Sequence, residues 1–405
     1  MKVSIIGQGY VGLPLALALA EADIEVVGLD SNANRVEEIR LGISKVETTS
    51  QETLLRSLRN GQYIPTADPN LISDSDVYVI TVPTPIDGQN KPDLSFLEAA
   101  TRTISKYAKE QSLIINESTS FPGTLRRFIA PIFDDHQSGR SRNLHFASSP
   151  ERIDPSNVKF NLFNTPRLVG GLTNVATAKA HDFYKKFVDN VIAVSSAEVA
   201  EASKLLENTY RLINISFINE FAEYCAKKNI NVREVIEAAN SKPFGFASFY
   251  PSAGIGGHCI PVDPHYLSQD AEEVNVHLKV TQSALESNLQ RSSRIVKHLN
   301  ELGIMPPSRI LIEGVTYKAN VSDIRESPSL RIYSDLVEAG YETAWHDPIY
   351  DLDISGTVRA KTDEKFDLIL ICVVHNATDL NELDARARKI LDLTGQDNQK
   401  NYLVF

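Results

Sequence analysis

Cys259 follows three closely spaced glycines and precedes an aspartate by four residues, in the segment Tyr250-Pro251-Ser252-Ala253-Gly254-Ile255-Gly256-Gly257-His258-Cys259-Ile260-Pro261-Val262-Asp263-Pro264. Glycines allow the backbone to turn sharply and approach a ligand closely. Cys259 is therefore the candidate nucleophile, with the Asp263 carboxylate on the same tight loop. The chain also opens on a dinucleotide-binding turn. A thiol combined with a nicotinamide cofactor permits oxidation through a covalent sulfur intermediate, which can carry an alcohol to an acid.

Cys225, mid-helix among Phe221, Ala222, Tyr224 and Ala226, and Cys372, in the apolar run Leu368-Ile369-Leu370-Ile371, are expected to be structural. His258 is left without a proton-transfer role. Lys204 and Asn208 stand four apart on a long helical stretch and so share one face. Such a pair is ordinarily solvated, but this one lies in a segment rich in core residues. A lysine beside a cysteine lowers the thiol pKa and stabilises a developing oxyanion, and an asparagine can donate a second hydrogen bond.

Gly7-Gln8-Gly9-Tyr10-Val11-Gly12 follows a strand and opens the apolar helix Leu13-Pro14-Leu15-Ala16-Leu17. Its glycines allow the tight turn, approach of a pyrophosphate and close helix packing, and the helix N-terminus attracts the phosphates. A second strand ends in Asp30, which can accept hydrogen bonds from the adenosine ribose and favours NAD over NADP. Arg35 can stack over adenine or contact a phosphate; as a solvated helix residue it would do neither. Ligands of doubly wound sheets lie beyond the carboxyl ends of strands. Thr84 in Val82-Pro83-Thr84-Pro85 and Thr119 in Glu117-Ser118-Thr119 are therefore candidates, with turn chemistry as the ordinary alternative.

The surrounding chain has to hold these groups. Its 405 residues favour two or three domains, and 42% hydrophobic with 23% charged residues is a soluble globular composition. A net charge of −11 argues against binding to nucleic acid or an anionic membrane. Three widely spaced cysteines argue against a disulfide framework or a cysteine-based zinc site, and no metal is expected. No signal-peptide core or membrane-length apolar run is found, so the expected compartment is the cytoplasm.

Strand candidates Val3–Ile6, Ile24–Leu29, Val77–Val82, Leu113–Glu117, Leu144–Ala147 and Val191–Val194 alternate with amphipathic stretches, as in βαβ units of a parallel sheet. Ser195-Ser196-Ala197-Glu198 is a capping-box candidate, followed by helix to about Lys228 with Leu205, Leu206, Leu212, Ile213, Phe217, Phe221 and Tyr224 on one apolar face. Further helix runs from about Val280 to Leu302. After Pro306-Pro307 a second α/β domain begins at Arg309–Gly314, with later strands Glu342–Trp345 and Phe366–Val374. The expected architecture is two Rossmann-like α/β domains joined by a long central helix and a helical middle domain: 1–195 for NAD, 196–305 for the cysteine loop and dimerisation, 306–405 for the substrate nucleotide.

Seven motifs, in order, carry a resemblance: Gly7–Gly12, Val82-Pro83-Thr84-Pro85, Glu117-Ser118-Thr119, Ser149-Pro150-Glu151-Arg152, Lys204 with Glu207-Asn208-Thr209, Gly256-Gly257-His258-Cys259, and Lys318 with Asp323-Ile324-Arg325-Glu326-Ser327-Pro328. Over essentially its whole length the chain resembles the nucleotide-sugar 6-dehydrogenases, the UDP-glucose/GDP-mannose dehydrogenase family. The resemblance implies Cys259 as nucleophile, Lys204 and Asn208 as oxyanion partners, and Asp263 as helper of water or lysine. It implies proton transfer or thioester hydrolysis for Glu151 and Thr119, and cofactor contact for Arg325 beside Gly7, Gly9, Tyr10, Val11, Gly12, Asp30, Arg35, Thr84 and Thr119. Substrate contacts would come from Glu151, Arg152, Lys204, Asn208, Phe249, Tyr250, Gly256 and Lys318, the last at the UDP part.

The implied reaction is a four-electron oxidation of a UDP-sugar at C6, through a thiohemiacetal and a thioester on Cys259, for surface polysaccharide synthesis. A two-electron NAD-dependent hydroxyacid dehydrogenase and a non-catalytic NAD-binding module are the rivals; two, one or no NADH per substrate separates the three. Val262 stands where glucose-type enzymes carry lysine, and the loop is more similar to the N-acetylhexosamine branch. UDP-N-acetylglucosamine is the first expectation and UDP-N-acetylmannosamine the second, with UDP-glucose as alternative. Val374 stands where the family usually has aspartate. The long helix is expected to build a homodimer or higher oligomer.

Overall fold

A computed structural model of the protein describes residues 1–46, 49–135, 143–154, 157, 159–361, 363–394 and 403–404. The chain divides into two compact units, Met1–Glu207 with His265–Val274 and Asn208–Pro264 with Asn275–Phe405.

The first unit is built on an eight-stranded sheet of β1 (Lys2–Ile6), β2 (Glu25–Leu29), β3 (Tyr63–Thr66), β4 (Val77–Ile80), β5 (Leu113–Asn116), β6 (His145–Ser148), β7 (Arg167–Gly171) and β8 (Val191–Ala193). The order is β3-β2-β1-β4-β5-β6-β7-β8. Successive side chains of a strand point to opposite faces. Val3, Ile5, Val77, Val79, Leu113 and Ile115 accordingly pack in one apolar cluster with Leu13, Leu15 and Leu19 of the helix Gly12–Glu21. Ile6, Tyr78, Ile80 and Ile114 pack in another, with Leu97, Ile104, Leu125 and Ile129. Burial on both faces explains why these strands read as continuous apolar runs.

Three features depart from the sequence expectation. The strand β3 carries Pro65, which cannot donate to a ladder, and it lies at the edge of the sheet, where proline is tolerated. The strand β7, which is not among the strand candidates, ends in Gly170-Gly171. Those glycines answer to close packing: a Cβ on Gly170 would lie 2.1 Å from the Ser196 carbonyl oxygen. Finally, β7 pairs antiparallel to β6, so the sheet is not wholly parallel. A parallel return needs a crossover, commonly a helix. No helix lies between β6 and β7 among the described residues, and this connection carries Glu151 and Arg152.

The helix Ala197–Lys228 runs through the boundary of the two units. At its start Ser196 Oγ accepts a hydrogen bond from the Val199 amide at 3.3 Å. The single apolar face expected for it divides in two. Leu205 and Leu212 are fully buried, whereas Leu206 (67% exposed), Phe217 (61%) and Tyr224 (53%) face outward with Tyr210.

The second unit holds a parallel sheet of β9 (Arg309–Glu313), β10 (Glu342–His346), β11 (Phe366–Ile371), β12 (Ala387–Asp392) and β13 (Leu403–Val404), in the order β10-β9-β11-β12-β13. The strand β11 stops at Ile371, short of the expected Val374. Ile310, Ile312, Leu368 and Leu370 pack with Ile332 and Leu336 of the helix Pro328–Glu338, and also with Ile295 and Leu299 of the helix Lys279–Glu301. No helix among the described residues is long and apolar enough to cross a membrane.

Candidate active site

At the end of β1, Gly7 adopts φ +96°, a conformation that glycine tolerates and side chains resist. A Cβ on Gly12 would lie 1.8 Å from the Gly7 carbonyl oxygen, so the helix packs directly on the turn. A Cβ on Gly9 would meet nothing within 4 Å, which leaves open the side where a pyrophosphate would approach. Gln8, unremarked in sequence, turns inward: its amide nitrogen donates to the Ile5 carbonyl at 3.0 Å and its oxygen accepts from the Tyr63 hydroxyl at 2.6 Å. Gly28 makes room for that amide, since a Cβ there would lie 2.5 Å from Gln8 Oε1.

Asp30 is buried beside this turn, where Oδ2 accepts from the Gln8 amide at 2.8 Å and Oδ1 from the Asn32 amide at 2.9 Å. Arg35 reaches back to Asp30 Oδ2 at 3.2 Å, so its partner is the carboxylate. Thr81 Oγ1 donates to the Gly7 carbonyl at 2.8 Å, tying β4 to the glycine turn. Val11, Thr84 and Thr119 are half-buried, and Tyr10 is at the exposed end of the turn. The open Gly9, the helix packed on Gly7 and the fixed Asp30 carboxylate fit an NAD adenosine and pyrophosphate.

Beyond β5 and β6 lies a cluster of ionisable groups within the same unit. Glu117 and Arg167 form a buried ion pair. The Tyr184 hydroxyl donates to Glu117 Oε1 at 2.5 Å, and the Arg167 guanidinium lies over the Tyr184 ring at 4.6 Å. Arg167 Nε donates to Ser149 Oγ at 3.1 Å. Glu151 keeps some accessible surface, yet burial of its carboxyl pushes its pKa above the usual range, while the charge of Lys204 opposes that shift. Arg152 grips Glu207 with Nε at 3.0 Å and Nη2 at 2.5 Å, and also donates to the Pro166 carbonyl, so its guanidinium ties the β6–β7 connection to the long helix. Glu201, buried one turn before Lys204, accepts from the Gly123 amide at 2.6 Å and the Leu125 amide at 3.1 Å. It thereby anchors the segment that follows Thr119.

In the second unit the cysteine loop is fixed from several sides. Asn219 Oδ1 accepts from the Ser252 amide at 2.9 Å, and Asn288 Oδ1 from the Ile255 amide at 2.8 Å. Arg291, 1% exposed, pairs with Glu223 at 3.0 Å and donates to the Ser252 carbonyl at 3.3 Å. The Gly257 amide donates to the Arg325 carbonyl at 3.1 Å, and Gly257 has φ +83° against the Tyr317 ring. A Cβ on Gly256 would lie 2.5 Å from the Glu326 carbonyl oxygen. Glycine at these two positions is thus required by close approach of the 317–328 loop.

Cys259 itself is half-buried, and its carbonyl accepts from the Asp263 amide at 2.8 Å and the Val262 amide at 3.0 Å. Asp263 begins a helix; its Oδ2 accepts from Asn208 Nδ2 at 2.6 Å. Cysteine, asparagine and aspartate are therefore linked within one unit. The other two thiols are buried: burial pushes Cys372 up to about 12 and Cys225 upward, which suits structural cysteines.

Phe249 packs edge-on to Tyr210 at 5.8 Å, and Arg233 lies over Tyr250 at 5.0 Å. Lys318 sits half-buried on the loop after β9, and Arg325 is paired with Asp323, Nε to Oδ2 at 2.8 Å. The Lys318 loop is held by a buried network. His375 Nδ1 accepts from the Asn320 amide at 2.9 Å, which leaves the proton on Nε2 to meet Asp347 Oδ2 at 3.2 Å. Asp347 Oδ2 also accepts from the Val315 amide at 2.8 Å. Burial would raise the Asp347 pKa, but His375 and the backbone amides outweigh it and hold it below the ordinary range. Val374 leaves this network intact.

Gln8, Glu117, Arg167, Glu201, Arg291 and the two asparagines escaped sequence reading because their partners are distant in the chain. Of these, Gln8 and Glu117 lay inside quoted motifs, Glu117 two residues before Thr119.

Three family models match the chain in order: the NAD binding domain of the UDP-glucose/GDP-mannose dehydrogenase family over residues 1–188, its central domain over 198–290 and its UDP binding domain over 311–394. A UDP-N-acetyl-D-mannosamine dehydrogenase of Methanococcus maripaludis is 36% identical over 358 residues, covering 86% of this chain and 80% of the relative. The structure of a UDP-D-ManNAc dehydrogenase from Pyrococcus horikoshii superposes with a TM-score of 0.88 at 29% identity, covering 100% of this chain and 98% of that one. A UDP-N-acetyl-mannosamine dehydrogenase from Staphylococcus aureus gives 0.86 at 30%, with the same coverage. The chain belongs to the UDP-glucose/GDP-mannose dehydrogenase family and is an NAD-dependent nucleotide-sugar dehydrogenase.

Proposed function

We propose that the protein oxidises the C6 hydroxymethyl of UDP-N-acetylmannosamine to the carboxylate, supplying a uronic acid for surface polysaccharide synthesis. The carrying observation is the Cys259 loop, with Asn208 and Asp263 hydrogen-bonded beside it. The conversion removes four electrons as two hydrides and takes one oxygen from water. NAD, when bound, accepts a hydride at each oxidation.

The Cys259 thiolate adds to the aldehyde carbon, giving a thiohemiacetal whose oxidation leaves a thioester. Asp263, an acceptor only, fixes the nitrogen of Asn208 toward itself and leaves the second N–H for the oxyanion. Lys204 supplies a positive charge for that oxyanion. Glu151, Thr119 and Asp263 direct the water that hydrolyses the thioester. Phe249, Tyr250, Gly256, Arg152 and Lys318 contribute to the substrate site, with Lys318 at the UDP moiety. Arg325 reaches the cofactor. The functional division follows 1–195, 196–305 and 306–405.

Between the two acetamido sugars, the relatives favour mannosamine over the glucosamine first expected. Val262 is buried on the loop, and a lysine there would need a partner. Across a panel of UDP-sugars, kcat/KM should be highest for UDP-N-acetylmannosamine. One apolar substitution discriminates by about 1–3 kcal/mol, so slow turnover of UDP-glucose fits. A higher kcat/KM for UDP-glucose than for both acetamido sugars would contradict the assignment.

We further propose a homodimer built on the long helix. Its outward stripe of Leu206, Tyr210, Phe217 and Tyr224 is apolar surface that a second copy would cover. Light scattering should give at least twice the chain mass; the mass of one chain would contradict the dimer. Three cysteines, none of them in a disulfide among the described residues, suit a reducing cytoplasm.

A further inference from the structure

The buried Glu117–Arg167 pair adjoins the proposed proton-transfer group Glu151. A buried pair of this kind contributes little to stability compared with apolar packing, so its presence calls for another account. Its contacts supply one. Glu117 is the residue after β5 and lies two before Thr119; its carbonyl receives the Glu151 amide at 3.5 Å. Arg167, at the start of β7, donates to Ser149 Oγ at 3.1 Å, and the Ser149 amide donates to the Asn116 carbonyl at 2.9 Å. Tyr184, on the helix Asn174–Tyr184, closes the knot by donating to Glu117. Three strand ends and one helix are thus fastened at a single ion pair.

The charges that act on Glu151 come from three elements: Lys204 on the long helix, Arg167 on β7 and Glu117 after β5. Arg167 and Glu117 act on it with opposite sign. We infer that the Glu117–Arg167 pair is a positioning device for Glu151, fastening the strand end that carries it while cancelling its own charge, so that Lys204 is the net charge Glu151 faces. This rests on the reading of Glu151 as a proton-transfer group.

Glu117→Gln keeps an oxygen for the Tyr184 hydroxyl but leaves the Arg167 cation uncompensated, and arginine does not deprotonate. The extra cation favours the Glu151 carboxylate over its acid, so a lower pH is needed to protonate Glu151. The acidic limb of kcat, defined as the limb that Glu151→Gln abolishes, should therefore move to lower pH by about one unit. In Glu117→Gln/Arg167→Met both charges are gone, and the limb should return to its wild-type position although the packing is altered more. A purely structural role predicts the reverse ranking, with the double variant the worse and no directed shift. A limb that stays in place or rises in Glu117→Gln would overturn the inference. The double variant carries no uncompensated buried charge, so it also serves alone should the single variant not fold: a limb displaced by about one unit in it overturns the inference too. If Glu151→Gln leaves the acidic limb intact, the reading of Glu151 falls and takes the inference with it, an outcome distinct from failure of the pair alone.

Discussion

Cys259→Ala is expected to lower uronic acid formation by about 10⁴-fold or more, with NAD affinity unchanged. The size follows from the chemistry: without the thiol no thioester can form, and loss of a nucleophile removes the whole covalent route. The alanine fits, because the loop is held by its backbone. The Ser252 and Ile255 amides, the Ser252 carbonyl, the Gly257 amide and the Cys259 carbonyl all have partners that the substitution leaves in place. The glycine turn, Gln8 and Asp30 lie in the other unit and are untouched. Acid production at the wild-type rate, measured by chromatography of the product, would sink the covalent mechanism.

Asn208→Ala is expected to lower kcat by about 10²–10³-fold, the usual cost of removing one oxyanion donor. Asn208 is fixed by the 2.6 Å hydrogen bond to Asp263, whose carboxylate can only accept. The remaining amide hydrogen is thereby aimed without any reorganisation during reaction. Because that bond strengthens as charge develops on the oxygen, kcat should fall much more than KM rises. Steady-state kinetics showing a rise in KM with kcat preserved would mean that Asn208 binds ground-state sugar only.

Much of the site was legible because its signals are local. Gly7, Gly12, Gly256 and Gly257 are glycines for steric reasons that short spacing already conveys, and Cys259 differs from Cys225 and Cys372 by its immediate neighbours. The strands of the two sheets were legible where both faces are buried. What escaped has long-range causes. Pro65 and Gly170-Gly171 disguise β3 and β7, since an edge position and close contact with Ser196 are properties of the folded sheet. The long helix shows apolar residues on more than one side, and sequence alone does not say which of them the chain covers. Glu117, Arg167, Arg291 and Glu201 look like surface charges until distant partners bury them.

The proposed reaction is a four-electron oxidation carried through sulfur on Cys259. Its most direct test is the NADH yield when limiting UDP-N-acetylmannosamine is converted to completion. Two NADH per sugar, with one equivalent of uronic acid, is the predicted result. One NADH per sugar, with an aldehyde or ketone as the final product, would contradict it.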